Sequence, residues 1–333
     1  MAIALTSRPS TPADDDAPRI IVSRGSRGDV FFRGVLRACG LSSLLITAMT
    51  LAFLIYRSWW ALHADGLSFF TKQDWIFVGN DFGIGGILPE TIIIGAIASM
   101  IAIPVAIATA IFISEYAPQR LRRVLIAVID LMAAIPSIIY GVWGRFFFMP
   151  RAIGVLGWVS RHVSWFPPFR TTVEASSSTF VGSPVIAGMV VSLMAIPIIT
   201  SLSREVFSQA PQGEREGAYA LGSTRWGMVR TVVIPFGRAG VVGASMLGIG
   251  RALGETIAVL LIISSSFKLN WHILQAGGNS IAAMIAGNFS SATFDQLSAL
   301  MAAGLTLFVI TLTVNSLAAV IINRSRSGAT TND

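Results

Sequence analysis

Six apolar runs, each long enough to cross a bilayer as a helix, constrain this chain more than any other feature. They lie at about Ala38 to Tyr56, Ile87 to Ile113, Leu121 to Trp143, Pro184 to Leu202, Ala239 to Ile263 and Ala299 to Ile322. A helix needs about 20 apolar residues to cover the hydrocarbon thickness, and a barrel strand about 10 in strict alternation. The runs follow the first pattern and not the second. With 53% of 333 residues hydrophobic and 12% charged, too little polar surface exists to wrap such runs in a water-soluble core. The expected fold is therefore all-α: a polytopic membrane protein with six transmembrane helices.

Charge orients the runs. Counting Lys and Arg, residues 1–37, the turn before the third run, the segment 203–238 and the C-terminus together carry sixteen, and the alternate loops carry seven. The positive-inside rule places the richer set, both termini included, in the cytoplasm. Residues 1–37 read as a disordered cytoplasmic tail, 38–323 as the transmembrane domain and 324–333 as a second cytoplasmic tail. Arg145, Arg151, Arg161 and Arg170 fall against this trend, in an outer loop whose Trp158, Trp165 and Phe166 suit the membrane surface. The net charge of +7 is a topology signal, with no nucleic-acid partner implied.

The sequence excludes several chemistries. Cys39 is the single cysteine, and His63, His162 and His272 are far apart, so neither a disulfide nor a metal site is expected. The chain has no phosphate-cradling GxxxxGK[ST] loop, no GxSxG elbow and no HExxH helix. No catalytic residue and no cofactor is expected. If transport is driven by ATP, another chain hydrolyses it.

Charge inside the apolar runs is the functional signal. Arg251 lies twelve residues into the fifth run, or ~18 Å at 1.5 Å per residue, near the bilayer middle, with Glu255 one turn deeper. A central Arg costs at least ~2.5–3.5 kcal/mol on insertion scales, so it faces protein or water. Two readings stand: the pair neutralises itself and pins helices, or Arg251 offers its guanidinium to a crossing anion while Glu255 orients it. Asp130 in the third run is either a helix-joining group or part of the same path. Glu90 and Glu115 read as interfacial. Pro104, Pro136 and Pro197 are expected to bend their helices, which lipid tolerates only against protein or a wet cavity.

A polar stretch precedes the fifth run. In EREGAYALGSTRWGMVRTVVIP, the residues Glu216, Gly217, Ala218, Gly222 and Pro235 match the spacing of the EAA loop of ABC-importer permeases, with Gly217 in place of the usual second Ala. The runs GRALGETIAV, SEYAP, AIPSIIYGVWG and GNSIAAMIAGNF resemble the PstC-type permease subunit of the phosphate importer. The resemblance implies a type I ABC-importer permease fold in a bacterial inner membrane, with 203–238 as the coupling loop. It also implies a homologous PstA-like permease, two cytoplasmic ATP-binding subunits and an extracytoplasmic phosphate-binding protein as partners, and phosphate passage at Arg251 and Glu255. Permeases for sulfate or molybdate, and a stand-alone proton-coupled anion transporter, remain as alternatives.

Overall fold

The structure, a computed structural model, describes residues 27–76, 81–171 and 176–326. Most of the expected N-terminal tail, and residues 327–333 of the C-terminal one, lie outside the described residues. The chain divides into residues 1–50 and 51–333. In the first unit, helix α1 (Arg27–Asp65) begins well before Ala38 and runs on into the second unit. Its Phe31, Leu44, Ile46 and Met49 are exposed, as suits a helix whose neighbour is lipid.

In the second unit, besides the single turns Ser68–Thr71 and Arg225–Met228, the helices are α2 (Ile87–Ile111), α3 (Gln119–Ala134), α4 (Ser137–Trp143), α5 (Met149–His162), α6 (Pro184–Ser208), α7 (Gln212–Ala220), α8 (Ile234–Leu253), α9 (Ile257–Ile262), α10 (Ile281–Asn288) and α11 (Phe294–Arg326). A two-stranded antiparallel ribbon pairs β1 (Trp75–Ile76) with β2 (Asp81–Phe82). Among the described residues five helices are long and apolar enough to cross a membrane, and a sixth span exists if the bent pair 119–134 and 137–162 counts as one.

That bent pair corrects the third run. Its two halves meet at 92°, with the break at Ile135 and Pro136, so Leu121 to Trp143 is not one straight helix. Proline removes the N–H that would bond back to residue 132 and pushes Ile135 into an extended conformation. The expected outer loop after Trp143 is largely helical, as α5 carries Arg151 and Arg161. Pro104 and Pro197 sit inside the unbroken helices α2 and α6.

Other prolines leave a different mark. Three π-turns, Phe112–Tyr116, Gly144–Phe148 and Val229–Val233, each end two residues before a proline: Pro118, Pro150 and Pro235. In each case the residue just before the proline donates its N–H five residues back, Ala117 to Phe112, Met149 to Gly144 and Ile234 to Val229. The turn widens because the proline cannot supply the next donor. Pro235 thus lies at the start of α8 within one helical rod that begins at Arg225.

The core is a three-helix contact of α2, α6 and α8. On α2 the buried face steps through Ala98, Ala102, Ala106 and Ala110, one turn apart. Against it α6 buries Ala187, Gly188, Val191 and Ala195, and Thr200 donates from Oγ1 to the Ala106 carbonyl at 3.4 Å. On α8 the buried positions include Gly237, Ala244, Ser245 and Gly248. Lipid gives apolar helices no reason to associate, so small residues that let backbones approach supply the packing instead.

Glu90, read from sequence as interfacial, is fully buried at the start of α2. Its carboxylate accepts from the Asn279 N–H at 2.6 Å and the Asn270 N–H at 3.2 Å, and so anchors the segment before α10. Gly278 lies against it with φ +134°, a conformation open mainly to glycine. This accounts for the GNSIAAMIAGNF run: Ser280 then caps α10 by accepting from Ala283 N–H at 3.1 Å. We expect Glu90→Ala, which strands two buried donors, to destabilise the detergent-purified protein by about 2–5 kcal/mol. A melting curve matching the parent's would show that the anchor is dispensable.

Candidate functional site

Arg251 lies in the last turn of α8, not at the middle of a continuous helix. The helix ends at Gly254, whose N–H bonds to the Gly250 carbonyl at 3.1 Å, and α9 starts again at Ile257. In the break Thr256 donates from Oγ1 to the Gly254 carbonyl at 3.0 Å. The fifth run is therefore a broken helix. Backbone at such a break is tolerated at membrane depth only where protein or a wet cavity receives it.

A cavity of about 380 Å³ lies there, lined by Ser137, Arg251, Gly254, Glu255, Thr256 and Ile257. Arg251 is exposed to it, while Glu255 is buried and accepts weakly from the Ala258 N–H at 3.5 Å. Of the two readings of Arg251 and Glu255, the ion pair does not form: among the described residues, Arg251 has no carboxylate within ion-pair distance. The break at Gly254 interrupts the one-turn register that a continuous helix would have given them, although both line the cavity. What remains is a permanently charged fork of donors with free capacity, in a space on the order of ten water volumes.

Ser137 reaches this cavity because of the bend at Pro136. Helix α4 lies along α9, and the contact depends on Gly141, where a Cβ would come within 2.9 Å of Ala258 Cα. Tyr140 ties the bend by donating from its hydroxyl to the Met132 carbonyl at 2.9 Å. Arg145 donates to the Ile262 carbonyl at 3.3 Å, at the far end of α9. The YGVWG run thus seats one half-helix against another. We expect Gly141→Val to force α4 and α9 apart, and thiol labelling of a Ser137→Cys reporter in a Cys39→Ser background to change accordingly; unchanged labelling would refute the seating.

Asp130 is elsewhere. It is exposed on α3, a helix with no buried residue, and does not line the Arg251 cavity.

The EAA-like residues build a helical hairpin. Helix α7 holds Glu216, Gly217 and Ala218, and the expected loop 203–238 is mostly helix. Gly222 has φ +80°, and the bonds Gly222 N–H to Tyr219 O (2.9 Å) and Ser223 N–H to Ala218 O (3.0 Å) close α7 with a Schellman cap. Thr224 then caps the next helix, accepting from Gly227 N–H at 3.1 Å. Glu216, Gly217, Tyr219 and Leu221 face outward, while Ala218 is part-buried. Among the described residues, Glu216 accepts a side-chain hydrogen bond from its helix neighbour Gln212 alone, at 2.8 Å. Glu115, read from sequence as interfacial, is buried and pairs at 3.0 Å with the part-buried Arg215, which sequence reasoning gave no role, beside this hairpin.

A bundle of membrane-crossing helices, a broken helix presenting an unpaired arginine to a cavity, and a capped polar hairpin with an outward face define a transporter permease. A family model described as binding-protein-dependent transport system inner membrane component matches residues 102–327. The chain belongs to that family. It is 38% identical over 309 residues to the phosphate transport system permease protein PstC 2 of Mycobacterium tuberculosis, covering 91% of this chain and 94% of that one. With the phosphate transport system permease protein PstC of Xylella fastidiosa it shares 37% over 316 residues, 95% of each. Among solved structures, a bacterial ABC transporter involved in the import of the acidic polysaccharide alginate superposes with a TM-score of 0.51 at 16% identity, over 88% of this chain and 98% of that one. That likeness is one of fold, the type I importer permease.

Proposed function

We propose that this chain is the PstC-type channel subunit of an ATP-driven phosphate importer. It works with a homologous permease, two cytoplasmic ATPase subunits and an extracytoplasmic phosphate-binding protein. The observation that carries the site is the unpaired Arg251 guanidinium in the cavity at the break between α8 and α9. Its relatives carry phosphate-transport names over nearly their whole length, which supports phosphate over sulfate or molybdate.

Arg251 binds the anion by charge-assisted hydrogen bonds as its hydration shell is lost. Passage needs release as well as capture. Glu255 is close enough to line the same cavity and weakens retention by its negative charge, and Thr256 and Ser137 supply neutral hydroxyl groups. ATP-driven closure of the partner subunits acts on the outward face of α7 and alternates the side from which this cavity is reached. Segment 203–238 and both termini lie on the cytoplasmic side.

Two measurements test the reading. Mild-detergent purification of the tagged chain, with mass spectrometry, is expected to bring down an ATPase and a second permease. Uptake of labelled phosphate into cells lacking other phosphate systems is expected to resist excess sulfate and molybdate; competition by either at equal concentration would overturn the substrate. For the topology, a cysteine replacing Gly222 in a Cys39→Ser background is expected to be shielded from impermeant thiol reagents outside intact cells, and one replacing Asn270 to be labelled. The opposite pattern would invert the orientation.

A further inference from the structure

We infer that Arg215 is a positioning residue which fastens the hairpin helix α7 to the ends of the core helices, so that motion imposed on α7 reaches the Arg251 cavity. The inference rests on the importer reading, and it adds a residue on the inner face of α7 to the outward face that meets the ATPase.

The geometry is a three-way junction. Arg215 donates from Nη1 to Glu115 Oε2 at 3.0 Å and from Nη2 to the Phe207 carbonyl at 2.6 Å. Glu115 stands in the π-turn that extends α2, and its side chain is only 4% exposed. Phe207 is in the last turn of α6, and its buried ring lies against Gly237 of α8. One guanidinium therefore holds the end of α2 and the end of α6 directly, and reaches α8 through Phe207. Around it Ala110, Ala210, Met228, Val229 and Val233 form a small apolar cluster, against which Ala218 packs one turn beyond Arg215. Arg225, after the Schellman cap, sits over the Tyr116 ring at 5.3 Å, a second tie to the end of α2.

This arrangement is suited to transmission. A lone apolar contact can slide, whereas a planar fork with two fixed acceptors resists both rotation and translation of α7 against the core. Removing it leaves α7 held by the Gln209–Pro211 link, the glycine cap and Ala218. The outward face, with Glu216, Tyr219 and Leu221, is not part of the junction. Docking of the ATPase and transmission of its motion are thus assigned to different residues of one short helix.

The test uses the whole complex co-purified with the tagged chain and placed in liposomes. In a Cys39→Ser, Ser137→Cys background, the rate of thiol labelling in the Arg251 cavity is measured without nucleotide and with ATP trapped on the ATPase. In the parent the rate changes with nucleotide. In Arg215→Gln the ATPase still co-purifies and still hydrolyses ATP, and the nucleotide dependence of labelling is lost. A purely stabilising role would lower the yield of complex and leave that dependence intact in what assembles. Should Arg215→Gln fail to accumulate, the Glu115→Gln, Arg215→Gln pair, which strands no charge, is assayed identically. Nucleotide-dependent labelling equal to the parent's in either variant overturns the inference. Labelled phosphate is followed in parallel vesicles whose complex keeps Ser137: a complex that hydrolyses ATP there without moving phosphate refutes the substrate and leaves the junction to be judged by the labelling.

Discussion

Arg251→Gln is expected to lower phosphate uptake roughly a hundredfold or more, at unchanged abundance in the membrane. The figure follows from losing two charge-assisted hydrogen bonds of about 1.5–3 kcal/mol each, in a place where the anion has already given up water. The geometry sharpens the prediction. Had Arg251 and Glu255 been an ion pair, removing one would strand the other, and neutralising both would restore function. In the structure they are not paired, and Glu255 faces the backbone of Ala258. The double Arg251→Gln, Glu255→Gln variant is therefore expected to be as inactive as the single one. Arg251→Lys should keep the charge and lose the fork, leaving uptake about tenfold down. Immunoblots control for abundance, and recovery of uptake in the double variant would show that packing had been mistaken for a path.

Much of the fold was legible because lipid imposes a simple rule: each span must be apolar for about 20 residues and satisfy its own backbone. The helices around Ile87, Pro184 and Phe294 follow directly from that rule. Breaks were harder to read. Hydropathy averages over residues 239–263 cannot register that Gly254 and Thr256 end one helix and start another, because Leu260, Leu261 and Ile262 keep the window apolar. The expectation that Glu255 stands one helical turn beyond Arg251 on a continuous helix therefore missed the break at Gly254. Pro136 was visible as a bend, yet its consequence, the delivery of Ser137 to the cavity, needs the fold.

The acidic residues show a second limit. Glu90 and Glu115 both lie at ends of a span, where an exposed carboxylate is ordinary, and both turn out buried with partners 100 or more residues away in sequence. No local pattern encodes that distance. Arg215 likewise stands beside the motif residue Glu216, yet Arg215 reaches Glu115 while Glu216 stays exposed. Of the EAA-spaced positions on α7, Glu216 and Gly217 are outward and Ala218 is part-buried; the charged position turned inward is Arg215. The inward one became visible only when Glu115 and the Phe207 carbonyl were seen to meet it.

Glu216→Lys should abolish ATP-coupled uptake, by at least roughly thirtyfold, and should do so by a different route from Arg215→Gln. Glu216 is exposed on α7 and bonded only to Gln212, so its replacement disturbs neither the Schellman cap at Gly222 nor the junction at Arg215. What it changes is the charge offered to the partner cleft. Truncating one side of an interfacial charge pair costs about 2–5 kcal/mol, and reversing its sign adds repulsion. The expected result is therefore loss of the ATPase from the purified complex, with the permease still in the membrane. In Arg215→Gln the ATPase is expected to remain bound and active. Comparing co-purified ATPase in the two variants separates docking from transmission. Retention of full ATPase and full uptake in Glu216→Lys would show that the outward face of α7 is not where the partner binds.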